Sequence, residues 1–353
     1  MTVGRARPRR IAPLACRAGG RTRGGSKRAD GTTRRWPATA PTRWKCLIIG
    51  FVVQSVVPEP SGRSVHIDTP AQAALRRFRR NTLGVTGLTL STLVVLIAIF
   101  APVLATRNPN TQFEQGLSAM GGPLPPSSQF WFGTDNLGRD LYSRILYGTR
   151  TSMFVAISAN VISITIALVF GTIAGYAGGA VDTILMRITD ILISFPVLLL
   201  AGFLAVVLKP GITVVVVVIG FSSWFYLARI VRGEVLSVKQ REYIEAARAL
   251  GAPSGRIVRS HVLPQILGQA LVYGTLNFST TVLFAAALSY LGIGVQPPTA
   301  DWGNMIAEGA QYLTVMPWLV IFPGIFLGIS ILGFNLLGDG LRDALDPKNT
   351  GGR

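Results

Sequence analysis

The feature that most constrains this chain is a series of long windows without a single charged residue. They fall at 81–106, 151–181, 191–208, 211–228, 262–300 and 309–338. A helix needs about eighteen residues or more, rising about 1.5 Å each, to cover the roughly 30 Å of a bilayer's hydrocarbon. Every window is long enough, so the chain reads as an all-α integral membrane protein. Six spans are expected, near 82–106, 151–177, 186–208, 211–229, 266–291 and 315–338. The window at 262–300 has room for two helices, but Gly292, Gly294, Pro297 and Pro298 interrupt its second half. One helix to about Leu291 and then a loop is the expectation. The third and fourth spans meet in a tight turn at Lys209-Pro210-Gly211.

Composition agrees: a mean hydropathy of +0.45 with 14% charged residues does not describe a water-facing surface. The formal charge of +18 suggests nucleic acid until it is divided along the chain. Residues 1–80 hold 18 of the 34 Lys and Arg but only 3 of the 16 Asp and Glu. No nucleic-acid partner is implied. Residues 1–70 read as a disordered basic extension, too poor in apolar surface to offset the entropy of ordering. Its apolar run at 47–57 is too short to span and lacks the flanks and cleavage site of a signal peptide. Residues 1 to about 64 are expected to reflect a start codon assigned too far upstream, and 349–353 form a short tail. Cys16 and Cys46 have no second Cys/His cluster beside them, so neither a metal site nor a disulfide framework is expected.

Orientation follows from the basic residues between spans. With the N-terminus inside, fifteen Lys and Arg fall on the cytoplasmic side and five outside. Both termini are therefore expected in the cytoplasm, with the protein multi-pass in the cell membrane and in contact with lipid. Gly171, Gly175 and Gly179 in the second span, and Gly324 and Gly328 in the sixth, recur every four residues, a spacing that permits close helix packing.

The basic loop at 234–264 is the most informative segment. Ser237-Val238-Lys239-Gln240 resembles a capping-box start. Tyr243, Ala247 and Leu250 make an apolar stripe at helical spacing. Gly251 stands where a left-handed C′ residue belongs, with Pro253 beyond it. A second short helix begins at Pro253 and is expected to end at Pro264. Such a helix-turn-helix fits a groove in a partner, Glu245 offering a charge; an ordinary loop that only satisfies topology is the other reading. On the outer side, Leu137, Leu141 and Ile145 suggest an interfacial helix, with Arg139 and Arg144 reaching toward headgroups and Gly133-Thr134-Asp135 capping it. Contact with a docked protein and a structural collar are both open there.

Three separated motifs carry a family resemblance. Glu245-Ala246-Ala247, followed by Gly251, His261 and Leu263-Pro264, is similar to the EAA signature of permease subunits of ABC importers. The stretch from Gly133, Thr134 and Asp135 through Gly138, Arg139 and Asp140 to Arg144 resembles the peptide/nickel branch, specifically its C-type subunit. So does the segment around Asp301-Trp302-Gly303. The resemblance covers roughly 75–348 and implies the six-helix, MetI-like fold of type I importers over 71–348. It further implies that 234–264 couples to an ATPase. The partners would be a homologous B-type permease, two ATP-binding subunits holding ATP and Mg, and an extracytoplasmic solute-binding protein. The function implied is uptake of di- or oligopeptides or related solutes.

Nothing in the residues supports catalysis or a cofactor in this chain. There is no G-x-x-x-x-G-K-[ST] loop and no Gly-x-Ser-x-Gly elbow, and His66 and His261 stand alone. Arg187 and Asp190 are spaced to pair on one helix face. A secondary, ion-coupled carrier is the alternative, but the span centres hold none of the ionisable groups such carriers use.

Overall fold

A computed structural model describes residues 70–208 and 211–345. The extension before Pro70, the Lys209-Pro210 turn and the tail lie outside the described residues. An amphipathic helix, α1 (Pro70–Arg80), leads into α2 (Thr82–Leu104). After a long loop come α3 (Leu141–Ala177), α4 (Gly179–Ser194), α5 (Val197–Val207) and α6 (Ile212–Lys239). The short helices α7 (Glu242–Ala249) and α8 (Ser254–Ile257) precede α9 (Leu263–Tyr290). The chain closes with α10 (Trp302–Ala310) and α11 (Trp318–Leu345).

Helix directions follow from which residues touch. Gly84 lies against Gly340, and Gly87 against Leu336 and Leu337, so α2 and α11 are antiparallel. Asn81 caps α2 by accepting from the Gly84 N–H at 3.1 Å, and its amide donates to Asp343 at 3.1 Å. Both described ends therefore share one face of the bundle, here called proximal; the other is distal. Gly220 meets Ala159 and Ile162, Gly171 meets Ala228 and Val231, and Gly175 meets Val235. Contacts that advance together along both sequences mean that α3 and α6 run parallel. The segment between them must then recross the membrane.

That return crossing is a broken helix. Five helices are long and apolar enough to span alone, and a sixth crossing is the α4–α5 pair, bent by 89°. The break falls at Phe195-Pro196, where proline has no N–H to continue the ladder; the Pro196 carbonyl accepts from Leu199 and Leu200 at 2.9 and 3.0 Å to start α5. The third span, expected near 186–208, thus begins earlier, at Gly179, and is built from two arms. Ion pairs hold the bent arm: Arg232 on Asp182 at 2.6 Å, and Arg229 on Asp190. Asp190 is engaged from α6, not from Arg187 on its own helix.

Other helices differ from expectation in extent. The second span begins ten residues early, since α3 starts at Leu141 and not near 151, absorbing the supposed interfacial helix. Helix α6 runs on to Lys239, so Ser237 sits inside a helix and caps nothing. Pro264 does not end its helix either. The run from Ser254 to Tyr290 is continuous, with a π turn at Val258–Val262 in which the Leu263 N–H bonds back to Val258. The wider turn gives the Pro264 ring room that an α turn would deny. The loop after α9 also contains a helix, α10, that hydropathy did not signal.

The core centres on α6, the most buried of the five long helices. Trp224, Phe225, Ala228, Val231 and Val235 pack there with Ala167 of α3 and with Ile257, Val262 and Ile266. Small residues bring the backbones together, as lipid supplies no hydrophobic drive between helices. The glycines that do this are Gly171, Gly175 and Gly220, with Gly87 and Gly333 at the α2–α11 contact. Gly179, Gly324 and Gly328, expected to do the same, have no neighbour within 4 Å of a built Cβ. Replacing Gly171 by Val should therefore destabilise the detergent-purified chain by ~1–3 kcal/mol through overpacking. Gly324→Ala should leave its thermal midpoint almost unchanged; equal midpoints for the two variants would contradict this packing.

Candidate functional site

Two regions hold the motif residues, one on each face. On the distal face the loop before α3 is built on buried polar bonds. The Thr134 hydroxyl donates to the Gly116 carbonyl at 2.6 Å and accepts from the Leu124 N–H at 2.8 Å, stapling three stretches of loop together. A Cβ on Gly133 would come within 2.5 Å of the Leu124 carbonyl, so only glycine fits. Asp135 accepts backbone N–H bonds from Leu137 and Arg139, both at 2.9 Å. Its second oxygen takes Arg139 Nε at 2.6 Å and lies 3.2 Å from Arg144 Nε. Arg139 Nη2 reaches on to Glu308 of α10 at 3.4 Å, and Arg144 donates to the Pro109 carbonyl at 3.3 Å. Gly138 lets the Phe113 N–H approach its carbonyl, at 3.2 Å.

These arginines are 3% and 1% exposed, so neither extends toward lipid headgroups as the sequence suggested. Two guanidiniums and the carboxylates of Asp135 and Glu308 neutralise one another inside the loop, and a buried charge needs such partners. The N-cap also moves: Asp140, not the 133–135 turn, caps α3 by accepting from the Ser143 N–H at 3.0 Å and its hydroxyl at 2.6 Å. Leu141 and Ile145 then enter the core, leaving Leu137 exposed. Of the two readings left open for this segment, burial favours the collar for these charged side chains.

The segment after α9 completes the platform. Asp301 caps α10, accepting N–H bonds from Gly303 and Asn304 at 3.1 and 3.4 Å and the Ser152 hydroxyl of α3 at 2.9 Å. Burial pushes the Asp301 carboxyl above its usual range, against the pull of those hydrogen bonds. Trp302 is fully buried beside Gly148, and a Cβ on Gly303 would fall 2.3 Å from the Ala286 carbonyl. Glu308 and Ser152 are the two site residues that the sequence reading does not single out. A lone acid just ahead of the sixth charge-free window was the one available sign of Glu308.

On the proximal face, α6 ends at Lys239, beside the end of α3, and hands over to α7. Helix α7 ends in a Schellman motif: the Gly251 N–H bonds to the Arg248 carbonyl at 3.0 Å and the Ala252 N–H to the Ala247 carbonyl at 3.1 Å. Gly251 has φ +80°, the left-handed geometry that glycine adopts without strain. Ile244 and Ile257 are buried in the core under α6, with Ala247 and Ala252 packed beside them. Tyr243 and Leu250 instead point out, 42% and 89% exposed, so the expected stripe is split between two faces. Glu245, Ala246 and His261 are exposed too, and the Tyr243 and His261 rings meet edge-on at 6.3 Å. Leu263 is partly buried and Pro264 exposed where the loop rejoins the bundle. Lys239 fixes the corner by donating to the Tyr176 carbonyl at 2.7 Å.

The distal ion cluster yields a sharp expectation. Asp135→Asn leaves two buried guanidiniums short of a counter-charge and should cost ~3–5 kcal/mol of stability. Glu308→Gln, at the partly exposed end, should cost ~1 kcal/mol. Thermal unfolding in detergent measures both, and equal losses would contradict the ordering.

Comparison with known proteins now bears on both regions. The family model "Binding-protein-dependent transport system inner membrane component" matches residues 167–351, and "N-terminal TM domain of oligopeptide transport permease C" matches 69–126. The oligopeptide transport system permease protein of Bacillus subtilis is 43% identical over 78% of this chain and 88% of its own length. The dipeptide transport system permease protein of Alkalihalophilus pseudofirmus is 42% identical, over 79% and 90%. The glutathione transport system permease protein of Escherichia coli is 40% identical, over 81% and 93%. With the proximal helix-turn-helix inside the longer match and relatives at least 40% identical over more than three quarters of the chain, the chain belongs to the family of binding-protein-dependent transport system inner membrane components.

Proposed function

We propose that this chain is one of two transmembrane subunits of an ATP-driven importer for small peptides or closely related solutes. It lies in the cell membrane with its proximal face in the cytoplasm. The observation that carries this reading is the proximal loop: a rigid support with an uncovered apolar face. Ile244 and Ile257 anchor it, while Tyr243, Ala246 and Leu250 present a stripe to a partner. An apolar helix face left uncovered in water fits a helix-in-groove contact with another protein.

The orientation is supported by charge. Arg76, Arg77, Arg79 and Arg80 on α1, and Arg241, Arg248, Arg256 and Arg259 around the loop, all belong to the proximal side, as the positive-inside rule requires of a cytoplasmic face. Substrate class comes from the relatives, whose names specify oligopeptides, dipeptides and glutathione. The shared chemistry is a short chain of amide bonds. The family is binding-protein-dependent, which leaves the ion-coupled carrier without support.

In this reading catalysis sits on partners. Two ATP-binding subunits hold ATP and Mg and press on α7 as they close; this chain binds neither. A homologous B-type permease completes the pathway, and an external binding protein delivers solute to the distal platform. Because α8, the π turn and α9 are one continuous rod, displacement of the loop tilts a membrane span directly. Reciprocity then applies: if nucleotide favours one access state, a ligand preferring that state strengthens nucleotide binding equally.

Leu250→Asp should leave the chain inserted and folded, since the side chain touches solvent, yet abolish co-purification of the ATP-binding subunits. Gly251→Ala should cost ~1–2 kcal/mol through its left-handed backbone and lower solute-stimulated ATP hydrolysis in proteoliposomes. Normal co-purification and normal hydrolysis in both variants would overturn the docking role.

A further inference from the structure

Polar groups are most costly at the middle of a membrane, and the bundle keeps two amides there. Asn277 stands at the midpoint of α9 and Asn160 close to the midpoint of α3. Asn160 is 8% exposed and engages both ends of its amide. Its Nδ2 donates to the Gly274 carbonyl at 2.9 Å, and its Oδ1 accepts from Asn277 Nδ2 at 3.1 Å. Asn277 is only partly buried, and that single bond is its one side-chain bond among the described residues. Its Oδ1 and second N–H are unused. At neighbouring depth, Ser163 Oγ of α3 and Ser222 Oγ and Trp224 Nε1 of α6 are likewise buried without a hydrogen-bond partner.

Hydrocarbon offers no hydrogen bonds, so a partly exposed primary amide is not stable against lipid at this depth. The surface on which Asn277 opens is therefore wet, or is met by another polar group. Polar residues retained inside spans mark solute paths more often than they mark lipid contacts.

We infer that Asn277 lines the solute path at the membrane midpoint and exchanges hydrogen bonds with the backbone amides of peptide-like cargo, Asn160 acting as its positioning residue. The inference rests on the importer reading and deepens it. A carboxamide is neutral and both donates and accepts, which matches a peptide bond whatever side chains flank it. Contact of that kind is strong enough to admit solute and weak enough to release it, as conduction requires. Asn160 sets the geometry: with its Nδ2 committed to Gly274, its Oδ1 fixes the Asn277 nitrogen and turns the Asn277 carbonyl outward.

The test uses the complete importer in proteoliposomes, with Cys16 and Cys46 replaced by serine. Asn277→Cys is probed with a positively charged, membrane-impermeant methanethiosulfonate, with Leu93→Cys, exposed on α2, as the lipid-facing reference. The expected result is rapid modification at 277, slowed by saturating tripeptide, and none at 93. In the native background, Asn277→Ala should lower kcat/KM for tripeptide uptake about tenfold, the effect of one hydrogen bond, with Asn277→Gln recovering part of it. Position 277 staying unmodified with and without ATP in a complex that still transports would overturn the inference, as would unchanged uptake by Asn277→Ala. Uptake that needs no ATP-binding subunit would count against the importer reading instead, leaving the labelling result to judge the pathway assignment.

Discussion

The contact between α3 and α6 is the constraint on which the remaining architecture depends. Gly171, Gly175 and Gly220 bring the two backbones so close that a single added carbon at Gly171 would lie 2.6 Å from the Ala228 carbonyl. In lipid this closeness replaces hydrophobic drive as the source of affinity between helices. The two helices run the same way, so the chain must return across the bilayer between them. It does so through a helix broken at Pro196 and pinned to α6 by Asp182–Arg232 and Asp190–Arg229. One packing decision thus sets the number of crossings and places the described ends on one face.

The same helix links membrane to loop. The last turns of α6 carry the support on which α7 is laid; α8 and the π turn then bring the chain back into α9 without a break. Ile244 and Ile257, both fully buried, tie the exposed stripe to the core. Distally, the buried charges of Asp135, Arg139, Arg144 and Glu308 join the loop before α3 to α10, while Asp301 joins α10 to Ser152 of α3. Span ends are thereby held together at the distal face.

Much of this was legible in the sequence. Charge-free windows located the helices because lipid tolerates little else, and Gly251 announced its turn because few residues adopt its geometry. What escaped was whatever depends on distant partners. A hydropathy window cannot show that Pro196 bends a span or that a π turn accommodates Pro264. Arg139 and Arg144 read as surface residues because their shared acid, Asp135, contributes a charge whose direction only the fold decides. Tyr243 and Leu250 sit on the periodic stripe of an amphipathic helix, yet periodicity does not say which face meets the protein's own core. The five small residues singled out by spacing included three that pack nothing in this chain, because spacing records opportunity and not contact.

In the proposed function, the proximal stripe conveys work done on nucleotide by another polypeptide to spans that hydrolyse nothing. Amide hydrogen exchange over Glu242–Ala249 and the following turn, compared between the isolated chain and the assembled importer with and without ATP, addresses it most directly. These amides are expected to become protected on assembly, their protection changing with nucleotide. Identical exchange there in all three states, with protection appearing elsewhere on the proximal face, would contradict it.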